Sequence, residues 1–176
     1  MKALEEKILQ EGEVVDGDIL KVDGFVNHQV DALLMEEIGK DMAEHFKGQG
    51  ITKVFTIESS GIAPALFTAK ELGVPLVILK KQQTADSLKT EVWQTEVVSY
   101  TKDTSYRLTL AKNYISDEDH VLIVDDFLAN GEAATGAIRL IRKAHATVAG
   151  LGVLIEKTFQ PGREKLESQG IHVYAQ

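Results

Sequence analysis

The sequence predicts an α/β chain, a parallel β-sheet flanked by helices, on three observations. Short apolar runs alternate along the chain with amphipathic runs of helical period. The apolar runs are continuous and rich in Val, Ile and Leu, as in strands buried on both faces. Two of them, near residues 52–57 and 121–124, pass through small and polar residues directly into a helical run, which is the strand-to-helix step of a βα unit.

Taken in order, residues 2–11 carry Leu4, Ile8 and Leu9 at helical spacing, and Gly12 offers a stop. From Glu13 to Gln29 the pattern is irregular but too apolar for a free linker, with Ile19, Leu20, Val22, Phe25 and Val26; it reads as a partly ordered lid, part of a small N-terminal hood over about residues 1–30. Helical spacing resumes at Leu33, Leu34, Ile38, Met42 and Phe46, with Asp31 as N-cap and Gly48 and Gly50 beyond the end. Residues 52–57 form the first core strand, and Glu58 to Gly61 lead into a helix through Ile62, Leu66, Ala69 and Leu72 that stops at Gly73. A strand at 76–79 follows, then Lys80, Lys81 and a polar stretch to Lys89. Residues 92–100 and 105–111 alternate (Tyr106, Leu108, Leu110) as an antiparallel ribbon would, so 82–104 reads as a mobile arm. Next comes the apolar run 121–124, with Asp125 and Asp126 where the strand is expected to end. The small residues Ala129, Asn130 and Gly131 then precede a helix through Ala133, Ala134, Ala137, Ile138 and Ile141. A strand at 147–155, Glu156 and Lys157, a helix at 163–168 and a strand at 171–174 complete one domain of residues 1–176.

A chain of 176 residues supports one real core and is short for two. Its net charge of −8 argues against a general nucleic-acid binder, which needs a basic surface, so any phosphate binding must be local. Cysteine is absent, which excludes a disulfide framework and a thiol nucleophile. The charged N-terminus lacks the apolar core of a signal peptide and no run is long enough to span a membrane, so the expectation is a cytoplasmic protein without membrane attachment. The five histidines show no metal-ligand spacing and are read as surface or satisfied core residues; Trp93 is read as packing.

In a parallel sheet the strand ends gather along one edge, where α/β proteins bind ligands. Here that edge carries Glu58 to Gly61, Lys80 and Lys81, Asp125 and Asp126, and Glu156 and Lys157. Free backbone N–H groups at a helix start attract phosphate. Residues 129–133 can therefore hold one phosphate, and 59–61 with a lysine another, while the acid pair addresses sugar hydroxyls and, through water, a divalent cation. Each hydrogen bond to a charged oxygen contributes roughly 1.5–3 kcal/mol, so four or five suffice for micromolar binding after association costs. Structural alternatives stand beside these readings: Lys80 and Lys81 as solvated charges, Glu156 with Lys157 as a surface ion pair, Asn27 as a loop cap. A phosphorylated receiver domain, which also places acids after such a strand, is excluded because no Asp follows Asp126.

The stretch from Val121 to Ala133 resembles the phosphoribosyl-pyrophosphate signature of the type I phosphoribosyltransferases. The stretches from Leu20 to Asp31, Thr56 to Ala65 and Ile155 to Arg163 resemble, more narrowly, the bacterial xanthine phosphoribosyltransferases. The resemblance implies that fold and transfer of 5-phosphoribose to xanthine, yielding xanthosine monophosphate and pyrophosphate. It also implies Mg²⁺ held through substrate and water, with no direct protein ligand, and a homodimer. Carried over, Asp125 and Asp126 are the catalytic acids facing ribose, and Ala129, Asn130, Gly131, Glu132 and Ala133 bind the 5-phosphate. Ser59, Ser60 and Gly61, with Lys80 or Lys81, hold pyrophosphate, and Leu20, Asn27 and Lys157 form the base pocket. Hypoxanthine-guanine relatives place an acid where this chain has Ala129. Xanthine, a more acidic purine able to bind as an anion beside Lys157, tolerates that loss, which is awkward for hypoxanthine. The readings left beside this one are another base, guanine or hypoxanthine, and a donor-sensing regulator, for which neither a DNA-binding head nor positive charge is present.

Overall fold

The structure, a computed structural model, describes residues 1–81, 89–99 and 103–176. Helix α1 (Lys2–Glu11) leads into a hairpin of β1 (Glu13–Val15) and β2 (Ile19–Lys21). A π-helical turn over Asp23–Asn27 joins it to α2 (Ala32–Phe46). The stretch read as an irregular lid is therefore ordered. Its hairpin turn holds Asp16 and Gly17 in the left-handed region, and its strands are too short for alternation to reveal. Asp31 caps α2 as expected, its Oδ1 accepting from the Leu34 N–H at 3.1 Å, and it also meets Lys7 of α1 at 3.3 Å.

The main sheet has seven strands in the order β5-β6-β4-β3-β7-β8-β9. These are β3 (Lys53–Ile57), β4 (Leu76–Lys81), β5 (Val92–Ser99), β6 (Thr104–Ala111), β7 (His120–Leu128), β8 (Thr147–Glu156) and β9 (Val173–Ala175). Helix α3 (Ile62–Leu72) connects β3 to β4, α4 (Glu132–Lys143) connects β7 to β8, and α5 (Gly162–Glu167) precedes β9. The five strands β4, β3, β7, β8 and β9 are parallel. The sheet as a whole is mixed, because the antiparallel ribbon β5–β6 joins it at the last residues of β4, with Lys80 opposite Thr109 and Lys81 opposite Leu108. Of the arm expected over 82–104, residues 92–99 are the ordered strand β5; residues 82–88 and 100–102 lie outside the described residues.

Burial on both faces explains the continuous apolar runs. Val54, Leu122 and Val124 point to the side covered by α2 and α3, where they pack with Met42, Phe46, Ala65 and Ala69. Their neighbours Phe55, Ile57, Val121 and Ile123 point to the other side, against Ala137, Ile138 and Ile141 of α4. A third cluster builds the hood: Leu4, Val22, Phe25, Val26, Leu34, Met35 and Ile38 close over Leu154, with Leu20, Phe127 and Ile155 half-buried at its rim. Trp93 packs at the edge of the α4-side core, with the Lys112 ammonium 4.1 Å from its ring centre. His45 and His172 face each other at 2.8 Å between their Nε2 atoms, and the His120 Nδ1 lies 2.7 Å from the Thr147 hydroxyl. Among the described residues no helix is long and apolar enough to cross a membrane.

At the amino ends of the strands Asp119 ties three segments together. Its carboxylate accepts from the Thr52 hydroxyl at 2.7 Å and the Ser116 N–H at 2.8 Å, and it meets Lys53 at 3.1 Å. Burial pushes the Asp119 carboxyl up, but these donors together hold it below the ordinary carboxylate value. A depressed folded-state value means stability that is complete above the unfolded carboxylate pKa and lost as pH falls through the depressed one. Asp119→Ala is expected to lower unfolding free energy by about 3 kcal/mol near neutrality, since it strands a half-buried lysine. Urea melts should show that gap shrinking under acid.

Candidate active site

The acid pair lies within β7 rather than at its end. Asp125 pairs with Val153 and the strand runs on to Leu128, opposite Glu156, so the expected strand end is corrected by four residues. The physical reason is that Phe127 and Leu128 still have a partner strand and a core to fill. Each carboxylate folds back on the next residue: Asp125 Oδ1 accepts from the Asp126 N–H and Asp126 Oδ1 from the Phe127 N–H, both at 2.9 Å. Burial, with the neighbouring Asp126 charge, raises the Asp125 carboxyl well above the ordinary carboxylate range, against the pull of the Asp126 N–H and Lys81.

After Leu128 the chain turns through Ala129 and Asn130 to Gly131, whose φ of +82° starts α4 without a side-chain cap. The Thr135 N–H and hydroxyl both return to the Gly131 carbonyl, at 2.9 and 2.7 Å. Earlier N–H groups of the first turn have no intrahelical acceptor and so remain for a ligand. Asp125, Ala129, Asn130, Gly131, Glu132 and Ala133 line one cavity of about 130 Å³. The sequence-predicted phosphate loop and one acid are thus brought together.

The second turn, Glu58 to Gly61, contains a cis peptide between Glu58 and Ser59. Gly61 starts α3, again without a side-chain cap. A methyl group on Gly61 would lie 2.5 Å from Thr56 Oγ1 and 2.8 Å from Asp125 Oδ1, so this turn presses directly on the acid pair. Ser59 is exposed and Ser60 half-buried, and neither hydroxyl has a hydrogen bond among the described residues. Glu58 accepts from the Lys81 N–H at 2.6 Å and stands 4.0 Å from the Lys80 ammonium. The two lysines therefore diverge, as strand neighbours must: Lys80 toward Glu58, and Lys81 over the Tyr106 ring at 4.9 Å.

Sequence reasoning missed two polar groups here. Tyr106 reaches the site from β6, its hydroxyl raised by burial and by the charges of Asp125 and Glu132. Thr56 Oγ1 is buried with no hydrogen-bond partner among the described residues. Alternation marks Tyr106 as facing one side of a ribbon but cannot say that the ribbon docks beside β4. Thr56 reads simply as a strand residue.

The base-side residues come from two places. Leu20 sits at the rim of the hood cluster with Phe127 and Ile155. Asn27 ends the π-helical turn, exposed, with no side-chain hydrogen bond among the described residues. Lys157 follows β8; its N–H donates to the Leu128 carbonyl at 2.8 Å and its ammonium lies 6.0 Å from the Phe127 ring centre. Among the described residues no side-chain hydrogen bond joins Asn27 to Lys157. The surface ion pair of Glu156 with Lys157, kept as an alternative above, does not form. Glu156 instead receives Arg163 in a two-pronged contact, Nε to Oε1 at 2.8 Å and Nη2 to Oε2 at 2.7 Å.

Two helix starts without side-chain caps thus flank the acid pair, and among the described residues Lys157 beyond them has no carboxylate within 4.0 Å. The phosphoribosyl transferase domain family matches residues 27–171. The xanthine phosphoribosyltransferase of Agathobacter rectalis is 59% identical over 99% of this chain and 91% of its own, and that of Clostridium botulinum is 56% identical over 99% and 92%. The APRTase of Giardia lamblia, solved with 9-deazaadenine, shares the fold at a TM-score of 0.81 with 23% identity, over 98% of this chain and 95% of its own. The chain belongs to the phosphoribosyl transferase domain family.

Proposed function

We propose that this protein transfers 5-phosphoribose from phosphoribosyl pyrophosphate to xanthine, giving xanthosine 5′-monophosphate and pyrophosphate in purine salvage. The observation that carries it is the acid pair of β7 set between the uncapped starts of α3 and α4. The names of relatives at 56–59% identity support the choice of xanthine. In this reading the first turn of α4, with residues 129–133, binds the 5-phosphate, and Ser59 to Gly61 bind pyrophosphate with Lys80 or Lys81. Asp125 and Asp126 face the ribose, and Leu20, Asn27 and Lys157 receive the base. As the anomeric carbon separates from pyrophosphate, the ring gains positive charge beside two carboxylates, while N–H donors and a lysine meet the leaving group's negative charge.

Mg²⁺ fits this set of hard oxygen ligands. Among the described residues no group of three or more ligating side chains converges; in this reading the ion would arrive with the donor's phosphates and keep waters. When bound it neutralises charge on the leaving group. Asp126 and Glu58 are the carboxylates placed to hold its waters. A homodimeric, cytoplasmic, single-domain enzyme completes the reading.

The test is nucleotide formation from donor and Mg²⁺ with xanthine, guanine, hypoxanthine, adenine and orotate supplied separately. Xanthine is expected to be turned over fastest. No product from any base overturns the proposal, and equal use of hypoxanthine removes the significance given to Ala129.

A further inference from the structure

We infer that Arg163 determines base preference by taking up Glu156, so that the charge of its chain neighbour Lys157 stays available to an anionic oxopurine. The inference rests on the base-pocket reading above.

Glu156 ends β8 and is only 12% exposed, while the Arg163 side chain is 35% exposed. Both Glu156 oxygens are occupied by the fork, and the other arm of the guanidinium, Nη1, donates to Glu167 Oε1 and to the Val173 carbonyl, each at 3.0 Å. Arg163 is thus seated from β8, α5 and β9 at once. Lys157 faces the other way, toward Phe127 and the hood, and has no carboxylate within 4.0 Å among the described residues. A carboxylate one residue away would otherwise pull on that ammonium and repel an anionic ligand in front of it. In a half-buried setting such a field is weakly screened. A planar fork that occupies both oxygens cancels it more completely than a point charge, which is the reason for arginine at this position.

The arrangement separates an electrostatic role from a packing role, because Arg163→Gln and Glu156→Gln break the same fork with opposite effects on charge. Arg163→Gln leaves an uncompensated carboxylate beside Lys157. Its KM for xanthine is expected to rise about tenfold, the equivalent of one pKa unit of interaction, with the KM for donor unchanged. Glu156→Gln removes the competing charge, so the KM for xanthine should stay within about twofold of wild type, and adding it to Arg163→Gln should restore the xanthine KM. Equal rises in the two single variants, or a double variant worse than either, show a packing role and overturn the inference; so does an unchanged KM in Arg163→Gln. If Arg163→Gln does not fold, Glu156→Gln beside Arg163→Lys decides: a xanthine KM near wild type in the former with an intermediate rise in the latter supports the inference, whereas a tenfold rise in Glu156→Gln or an unchanged KM in Arg163→Lys overturns it. A wild-type protein that makes no nucleotide from xanthine overturns the function itself, an outcome distinct from an active wild type with the wrong variant pattern.

Discussion

Gly162→Ala is expected to damage donor and base binding together, although residue 162 touches neither ligand in the proposed arrangement. A Cβ there would stand 2.3 Å from the Ala129 carbonyl oxygen, 2.8 Å from Leu128 Cδ1 and 3.1 Å from the Ala129 carbonyl carbon. The first and last are backbone atoms and cannot swing aside. The Gly162 N–H also donates to that same Ala129 oxygen at 3.0 Å, and a Cβ on Gly131 would in turn lie 3.3 Å from the Gly162 Cα, so the two loops are closely apposed. The two loops must part for a methyl group to enter. We expect the KM for donor and the KM for base each to rise about tenfold or more, near 1.4 kcal/mol apiece. Unfolding free energy should fall by about 1–3 kcal/mol from overpacking. Steady-state kinetics with each substrate varied, beside a denaturant melt, measure all three. A variant with normal KM values would show that the lapped loops are irrelevant to the site.

Asp125→Asn should move activity and stability in opposite directions. The amide keeps the shape and the Oδ1 that accepts from the Asp126 N–H, but removes a carboxylate from beside the ribose. Loss of one such electrostatic contact is expected to cost about 10²–10³ in kcat. The stability sign follows from the raised value of the Asp125 carboxyl. Its contribution is fully present below the ordinary carboxylate pKa and lost as pH rises through the raised one, so above the ordinary value this carboxyl weakens the fold. The asparagine variant should therefore melt higher near neutrality, by about 2–4 °C per kcal/mol for a chain of this size, and lose that advantage in acid. A lower melting point at neutral pH would contradict the direction given for Asp125.

The parallel core was legible because each strand is covered on both sides: Val54 and Phe55 face opposite layers, and both must be apolar. The Asp31 cap was legible for a local reason, since it acts on its own helix start, and Gly131 was legible as a turn residue just before α4. Long-range facts were not. Nothing in the pattern of residues 104–111 says that they dock on the end of β4 and bring Tyr106 to Asp125. The hairpin at 13–21 has three-residue strands, too short to show a period. Most instructive is the pair at 156 and 157, where adjacency in sequence left a surface ion pair as the alternative to a binding role for Lys157. Successive residues at a strand end point apart, and Arg163, seven residues on from Glu156, returns to claim the acid. In the candidate site, the grouping of Asp125 with residues 129–133 around one cavity was legible from motif and spacing, whereas partners supplied by a distant strand were visible only in three dimensions.

The lapping of residues 157–162 onto 128–131, through Lys157 to Leu128 and Gly162 to Ala129, has a thermodynamic corollary. In the proposed function one loop carries the lysine that receives the base and the other the amides that receive the phosphate, so each ligand would bear on hydrogen bonds that shape the other's seat. Affinities linked in this way are reciprocal: the factor by which bound donor tightens the base must equal the factor by which bound base tightens the donor.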